Sequence, residues 1–351
     1  MAPLPKYRVT PRQPVFSSVA VDYAGPYEVR RNRTIEKRWL CIFACNATSA
    51  IRIEVVESLE TTAFLNAFRR FLCLSGMKTR HIRCDCATTF VGARNMKDEL
   101  KLALRKFESS TELKGWLKSM ELTWEFSTSA SSHHQGFIER QIRTFRSVTE
   151  GVLGPGSRKR TPTDFELLTI FREAEYAMNC LPLGKYLQDE DPIQPLCPID
   201  LITGYTVPCN HGSSTYQSEP GDELRRGYCY TQKLAEAWWE RWVSTYLPLL
   251  QKRQKWTRSE CNLKEGDVVL LMDDTTPLRG KYPYALVIAT KPCKDGRVRS
   301  ATVRTSDGLI RDRDIRKLVL IESTATDTTL ITECGDDPSS IVNQLDDDKL
   351  I

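Results

Sequence analysis

Alternation of apolar and polar side chains predicts the first strands of the chain. Residues 15–21 alternate in this way, with the period of two that is typical of a half-buried strand. Gly25-Pro26 follows and predicts a turn at which that strand stops. Two further strands are expected at Arg38–Cys45 and Ile51–Val56. A short polar turn joins them, so the three strands would form a meander.

Apolar spacing then changes to the helical period. The predicted elements are a helix from Thr61 to about Gly76, a strand at His81–Cys84, helices over 95–107 and 112–120, a strand at Leu122–Phe126, and a helix after the loop that starts at Ser127. Strands that are not joined by hairpins need crossover connections through helices. The order therefore predicts a mixed α/β sheet flanked by helices.

The stretch from Ser127 to Val148 begins as a loop and becomes an amphipathic helix. Its apolar stripe consists of Ile138, Ile142, Phe145 and Val148, at the spacing of a helix that faces a core. Glu139, Arg143 and Arg146 recur on a neighbouring face. Ordinary Glu–Arg pairs on a solvated face would explain these three residues. A metal-binding carboxylate beside a phosphate-binding surface would also explain them, provided that other carboxylates converge on Glu139.

The chain divides further by composition. The predicted regions are a Pro-rich linker at 1–14, the α/β core at 15–155, an extension of helix and loops at 156–229, a helix and a small barrel at 230–322, and an acidic tail at 323–351. Five short strands in about 55 residues suggest an SH3-like barrel. The tail has few aromatics, so we expect it to be disordered. Trp238, Trp239 and Trp242 could stack on bases, but an aromatic helix face packed on a core is the simpler interpretation.

Length and composition limit the class of protein. A chain of 351 residues with 40% apolar and 27% charged side chains is long enough for two domains with real cores. No apolar run reaches the length of a membrane span, and the N-terminal segment lacks the apolar stretch of a signal peptide. The 12 cysteines are scattered along the chain, which indicates reduced thiols in the cytosol or nucleus.

Charge is distributed unevenly. The net charge is +5, but residues 322–351 hold eight acidic residues and one lysine, so residues 1–321 carry +12. A basic body with an acidic tail favours a polyanionic partner, most simply nucleic acid. Lysines and arginines that serve solubility alone would give the same balance.

Three carboxylates hold positions that could converge. Asp22 ends the first predicted strand, Asp85 follows the fourth, and Glu139 opens the helix. Neighbouring strand ends and a following helix start can meet at one edge of a mixed sheet, where three acids would repel one another unless divalent cations bind them. Oxygen ligands with open coordination positions suit Mg²⁺. Two such ions, about 3.5–4 Å apart, would clamp the attacking and leaving oxygens of a phosphoryl transfer.

The segments around these acids carry a family resemblance. They read VDYAGP, RWLCIFAC, IRIEVVESL, CDCATTFVGA, SSHHQGFIERQIRTFRSV, PIQPLCPIDLITGY, LAEAWWERWVSTYLPLLQKRQKW, LKEGDVVLL and KDGRVRSATVRTSDG. Together they resemble the integrase region of BEL/Pao-type LTR retrotransposon polyproteins, over nearly the whole chain from about residue 14 to residue 322. The resemblance implies an RNase H-like fold and a D,D,E triad of metal ligands, which here are Asp22, Asp85 and Glu139.

The resemblance also implies an activity and partners. Such integrases trim the ends of element DNA and join the freed 3′-hydroxyl groups to target DNA. The implied partner is double-stranded DNA, the cofactor Mg²⁺ (or Mn²⁺), the assembly a homo-oligomer, and the place of action the nucleus after assembly in the cytoplasm. Residues expected near the DNA are Arg143, Arg146, His133 and His134. On the barrel, Lys291, Lys294, Arg297 and Arg299 could bind DNA or form an assembly surface.

Departures from the family pattern keep other interpretations open. The second motif reads Asp85-Cys86-Ala87 where the family usually has Asp-Asn-Gly, and no zinc-binding module is seen ahead of the core. A domesticated, inactive remnant that binds nucleic acid or supports assembly would also account for these features. A zinc site built from Cys84, Cys86, His133 and His134 is a further alternative, although Cys-x-Cys is poor zinc spacing.

Overall fold

The structure is a computed structural model that describes residues 13–76, 79–85, 110–111, 115, 122–127, 136–154, 156, 160–185, 195–206, 223–251, 262–272 and 279–324. The side chains of residues 84–85, 124–127, 136–139, 185 and 223–225 lie outside that description. The chain divides into two compact units. The first comprises residues 1–183, 196–248 and 275–282, and the second comprises residues 184–195, 249–274 and 283–351.

A five-stranded mixed sheet organises the first unit. Its strands are β1 (Ser18–Arg31), β2 (Thr34–Cys45), β3 (Ile51–Val56), β4 (His81–Asp85) and β5 (Thr123–Ser127). They lie in the order β3-β2-β1-β4-β5. β2 runs antiparallel to β1 and β3, whereas β4 runs parallel to β1 and β5. The predicted meander followed by crossover connections is confirmed, and this strand order is that of an RNase H-like fold.

Strand β1 does not end at Gly25-Pro26, as the turn signal predicted, but continues to Arg31. Its pairing with β2 shifts between Ala24 and Tyr27, which marks a β-bulge. Gly25 has a φ of 111°, a conformation that residues with a side chain rarely adopt. The bulge therefore absorbs the Gly-Pro pair without ending the ladder, and Asp22 lies inside β1 rather than at its end.

Helix α1 (Thr61–Leu74) covers one face of this sheet. Its phenylalanines at i, i+4 and i+7, Phe64, Phe68 and Phe71, are 1% exposed or less. The ring of Phe71 stacks on Phe43 of β2 with 4.3 Å between the ring centroids. Burying each such ring contributes about 1.5–3 kcal/mol. The predicted helix and its core face are confirmed.

Four more helices belong to the described part of the chain. They are α2 (Gly136–Leu153), α3 (Asp164–Asn179), α4 (Pro198–Thr203) and α5 (Glu223–Leu250). A capping box fixes the start of α3, because the Thr163 hydroxyl and the Glu166 carboxylate each accept the other residue's main-chain N–H. The Pro-, Gly- and Ser-rich composition of residues 181–230 predicts mostly loop, with the next helix starting at about residue 230. That prediction is wrong at α4 and at the first turns of α5.

Side chains of α3 close the free edge of β3. The Asn179 amide accepts the main-chain N–H of Ile51 and donates to its carbonyl oxygen, both at 2.8 Å. Glu175 accepts the N–H of Ile53 at 2.8 Å and pairs with Arg52 at 2.7 Å. An open sheet edge offers unpaired main-chain groups to any extended segment. Helix α3 therefore blocks strand addition at this edge.

The second unit is built on an antiparallel sheet of five strands. They are β8 (Val268–Leu271), β9 (Tyr284–Pro292), β10 (Val298–Thr305), β11 (Ile310–Asp314) and β12 (Leu318–Glu322), and β6 (Gly184–Lys185) pairs separately with β7 (Pro195–Leu196). The order β11-β10-β9-β8-β12, with a 3₁₀ turn at Ile315–Lys317 before β12, is that of an SH3-like barrel. Gly296 and Gly308, which follow Asp295 and Asp307 in two Asp-Gly hairpin turns, have φ values of 73° and 78°.

Some predicted segments lie outside the described residues. They are the linker at 1–12, most of the helices predicted over 95–107 and 112–120, and the acidic tail from residue 325 onward. Among the described residues, no helix combines the length and apolar character needed to cross a bilayer.

Candidate active site

The first two candidate acids occupy neighbouring positions in the sheet. The parallel register of β1 and β4 aligns Val21 with Cys84, and Asp22 and Asp85 are the next residues on the two strands. Adjacent strands lie about 4.8 Å apart, and side chains alternate between faces along each strand. The backbone therefore brings these two positions together where the parallel pairing ends. Open α/β sheets bind their ligands at such carboxyl ends of parallel strands.

The Asp22 carboxylate is held by two donors. Its Oδ1 accepts the main-chain N–H of Tyr23 at 2.8 Å and forms an ion pair with the guanidinium group of Arg146. The same Arg146 nitrogen, Nη2, donates to the Tyr23 carbonyl oxygen. The Asp22 side chain is 17% exposed and the Arg146 side chain 10% exposed, so water screens this pair only weakly.

Helix α2 buries more of its surface than its apolar stripe predicted. Ile142, Phe145 and Val148 are 3% exposed or less, as expected. Arg146 was expected on the neighbouring polar face, yet it is 9% exposed and points at Asp22. Arg143, one turn earlier, is exposed. The two arginines that the sequence grouped together therefore occupy different environments.

The third candidate acid, Glu139, lies on the same helix. It precedes Arg146 by seven residues, so the two positions share a face and are separated by about 10 Å along the axis. Helical side chains lean toward the N-terminus, so the Arg146 guanidinium group extends back toward the level of Glu139. The side chains of Asp85 and Glu139, and the whole of His133 and His134, are outside the described part of the chain. Their roles in the site stay predictions.

Helix α5 packs against α2 through Trp238. The Trp238 indole N–H donates to the Thr149 hydroxyl at 3.0 Å, and Thr149 follows Arg146 by three residues on α2. Trp238 also stacks on Trp242, with 5.3 Å between ring centroids. The Trp242 indole donates to the Tyr282 hydroxyl at 2.8 Å. The prediction that the tryptophans pack into a core is confirmed.

Two buried polar groups on β1 and β2 stay neutral. Burial raises the pKa of the Cys41 thiol well above its usual range, although a hydrogen bond to Tyr23 lowers it. Burial also raises the pKa of the Tyr27 phenol, and the Glu150 carboxylate raises it further. Neither group supplies an anion at neutral pH, so the carboxylates carry the negative charge at this edge.

The donor set at this edge fits a hard divalent cation. Carboxylate oxygens are the ligands that Mg²⁺ prefers in proteins. A carboxylate has two oxygens and about four lone-pair sites, so an Asp22 that holds Arg146 through Oδ1 keeps the capacity to bind a metal. Where side chains are described, no three His, Cys, Asp or Glu residues gather into a metal-binding group. Two of the three predicted ligands are not among those side chains.

The barrel cations fall into two kinds. Lys291 and Arg299 form surface ion pairs, Lys291 with Asp312 and Arg299 with Asp295. Lys294 and Arg297 are exposed on the turn between β9 and β10 and at its end. Exposed pairs of this kind are screened by water and contribute little to stability, so they do not commit this face to any partner. Its DNA-binding and assembly interpretations both stay predictions.

The sequence did not reveal the contacts that surround Asp22. Tyr23 enters through its main chain, which no side-chain pattern reports. Thr149 and Trp238 are separated by 89 residues, and nothing in the local spacing joins them. One signal was available for Arg146: it lies next to Phe145 of the apolar stripe, so a slightly wider buried face would have included it.

Comparison with known proteins adds little to this geometry. A family model described as a family of unknown function (DUF5641) matches residues 226–321, less than a third of the chain, from α5 to β12. No curated protein matches the sequence.

Solved structures give a distant likeness to integrases. The simian T-cell lymphotropic virus intasome, in complex with PP2A regulatory subunit B56 gamma, is similar over 93% of this chain and 85% of that chain, at 8% identity and a TM-score of 0.35. The dimeric HTLV-2 integrase catalytic core domain in complex with magnesium is similar over 54% of this chain and 97% of that chain, at 13% identity and a TM-score of 0.33. The trimeric form of the same domain in complex with magnesium is similar over 51% of this chain and 91% of that chain, at 14% identity and a TM-score of 0.31. TM-scores this low do not establish a shared fold, so the fold assignment rests on strand order and register.

Proposed function

We propose that the chain is the integrase region of a BEL/Pao-type LTR retrotransposon polyprotein. It would act as a polynucleotidyl transferase that processes the 3′ ends of element DNA and transfers them to target DNA. The observation that carries the proposal is the parallel register of β1 and β4, which sets Asp22 beside the position of Asp85 in an RNase H-like sheet. The motifs VDYAGP and SSHHQGFIERQIRTFRSV support it independently.

Asp22, Asp85 and Glu139 would hold two Mg²⁺ (or Mn²⁺) ions. The ions would supply Lewis-acid stabilisation of the attacking and leaving oxygens. The chain itself would orient the reacting groups. Main-chain donation from Tyr23 fixes the Asp22 carboxylate, and the burial of α2 against the sheet fixes the helix that carries Glu139. Preorganised geometry of this kind is a large part of the catalysis of phosphoryl transfer.

Double-stranded DNA is the proposed partner. Arg143 is exposed on α2, one turn from Glu139, where its guanidinium group could bind a phosphate of the reacting strand. The basic charge of residues 1–321 and the cations on the barrel would add attraction that does not depend on base sequence. A homo-oligomer that works in the nucleus after cytoplasmic assembly belongs to the same proposal.

A specific observation also favours the alternative, an inactive remnant that binds nucleic acid or supports assembly. The ion pair with Arg146 neutralises Asp22 in the metal-free protein, and the second motif carries Cys86-Ala87 in place of Asn-Gly. An ion pair with Arg146 would account for Asp22 as a structural residue that binds no metal. The two candidates therefore differ in whether a divalent cation binds and supports chemistry.

A strand-joining assay tests the proposal. Branched oligonucleotides that mimic an integrated end would be incubated with the full chain and Mn²⁺ or Mg²⁺, and cleaved products would be separated by electrophoresis. We expect metal-dependent cleavage that Glu139→Gln abolishes and that the exposed control Arg69→Gln leaves unchanged.

Cleavage that survives Glu139→Gln would refute the assignment of the site. A folded wild-type chain that binds DNA without cleaving it would favour the remnant. In that case Cys86→Asn with Ala87→Gly tests whether the second motif is where activity was lost. Near-ultraviolet circular dichroism on each variant separates loss of chemistry from loss of fold.

A further inference from the structure

We infer that Arg146 is a positioning residue that competes with the divalent cation for Asp22, and that it is not a contact to DNA. The inference rests on the proposed function, because it concerns the same site. It assigns Arg146 a role that differs from the phosphate contact that its spacing from Glu139 suggested. The evidence is the contact set of this one guanidinium group and its burial.

One nitrogen of Arg146 serves two acceptors on β1. Nη2 contacts both the Asp22 carboxylate and the Tyr23 carbonyl oxygen, while the Tyr23 N–H donates to Asp22 at 2.8 Å. The carboxylate, the main chain and the guanidinium group are therefore linked directly to one another. These contacts fix the direction of the Asp22 side chain before any cation arrives.

Burial strengthens this pair. The Arg146 side chain is 10% exposed and the Asp22 side chain 17% exposed. A charge at such depth that has no partner is strongly destabilising. A DNA phosphate cannot approach a guanidinium group that lies beneath the helix surface. Arg143 has the exposure that a phosphate contact needs, so the two arginines divide the roles that the sequence assigned to both.

Competition follows from charge. A divalent cation bound by Asp22 would lie within about 6 Å of the guanidinium group, and this repulsion lowers the affinity for the metal by about tenfold even at the dielectric constant of water. Arg146 thus holds Asp22 in place in the absence of metal and sets a threshold for metal binding. Removing its charge should tighten binding, whereas removing a ligand should weaken it.

The experiment is a titration of Mn²⁺ into the metal-free full chain without DNA, followed by calorimetry and by electron paramagnetic resonance of free Mn²⁺. We expect Arg146→Gln to bind Mn²⁺ about tenfold more tightly than wild type and Arg146→Lys, which keeps the charge, to bind within about threefold of wild type. Arg69→Gln is the control: it removes the same charge from an exposed position of α1, away from the proposed ligands, and should leave the Mn²⁺ affinity unchanged.

Thermal denaturation in EDTA supplies a second readout. Without metal, Arg146→Gln should unfold at a lower temperature than wild type. Added Mn²⁺ should raise the unfolding temperature of this variant by more than it raises that of wild type. Equal Mn²⁺ affinity in wild type and Arg146→Gln would overturn the inference. So would a reduced salt dependence of DNA binding in Arg146→Gln, since that is the signature of a lost phosphate contact.

A measurement on the wild-type chain covers the case in which Arg146→Gln does not fold. With ¹⁵N-labelled arginine, the Nη signal that Arg146→Lys removes should shift when Mg²⁺ is added, and an unmoved signal would overturn the inference. Glu139→Gln keeps the proposed function separate. If this variant binds Mn²⁺ as wild type does, the predicted triad is wrong, whereas the competition at Asp22 is judged by the Arg146 variants alone.

Discussion

The indole N–H of Trp238 donates to the hydroxyl of Thr149 at 3.0 Å, and both side chains are at most 1% exposed. This hydrogen bond joins α5 to the helix that carries Glu139 and Arg146. The two residues lie 89 positions apart, so the contact forms only when α5 has packed against α2. The position of the candidate site therefore depends on a helix that supplies none of its predicted ligands.

Trp238→Phe should keep most of the ring packing and lose the hydrogen bond. We expect a loss of about 1 kcal/mol in the free energy of unfolding, measured by urea denaturation of the full chain. Thr149→Val supplies the partner variant for a double-mutant cycle. Additive effects of the two substitutions would show that the hydrogen bond contributes nothing to stability.

Asn179→Ala should open the edge of β3. The substitution removes both hydrogen bonds to Ile51 and leaves two buried main-chain groups without these partners, so we expect a loss of about 2–3 kcal/mol in the free energy of unfolding. Amide hydrogen exchange at Ile51 should accelerate as well. Unchanged exchange there would mean that α3 does not protect this edge.

Gly25→Ala should destabilise the bulge in β1. An added Cβ would lie 3.0 Å from the carbonyl oxygen of Arg38, at a φ of 111°, so we expect a loss of about 1–3 kcal/mol. Gly308 is the matched control, because it has a φ of 78° and no heavy atom within 4 Å of an added Cβ. If the denaturation midpoints of Gly25→Ala and Gly308→Ala fall equally, the loss of stability comes from the positive φ alone and not from the contact with Arg38.

The pKa of Asp314 should be low in the folded protein. Hydrogen bonds from the Arg316 side chain and main chain lower this pKa from 3.8 to about 2. A depressed folded pKa means that the contribution to stability is present above pH 3.8 and is lost as the pH falls toward about 2. Carbon-13 NMR titration of the carboxyl group measures this directly. Arg316→Gln should move the pKa back toward 3.8, and a pKa that stays near 2 would contradict the assigned cause.

Much of the fold could be predicted because its signals are local. The phenylalanines of α1 and the Asp-Gly turns of the barrel each specify structure within a few residues. The end of β1 was misjudged at Gly25, because a glycine before proline signals a turn and a bulge equally well. The start of α5 was placed too late, since its first turns carry no apolar stripe that separates them from the polar segment before them.

The site was predictable only in part, for a geometric reason. Strand order sufficed to bring Asp22 beside the position of Asp85, because parallel register follows from topology. The environment of Arg146 depends on the angle at which α2 lies on β1. The helical periodicity of the sequence does not determine that angle. Sequence spacing thus identified which charged residues share a helix but not which of them the sheet would cover.

The match to the family of unknown function begins at residue 226, whereas the first compact unit includes residues 196–248 and 275–282. The border of the family match therefore falls inside a compact unit. A gene cut at the family border would produce a sheet domain without Trp238 and Trp242, leaving Phe145 and Thr149 exposed to water. Helix α5, most of which lies within the family match, thus completes the core of the sheet unit that precedes the match.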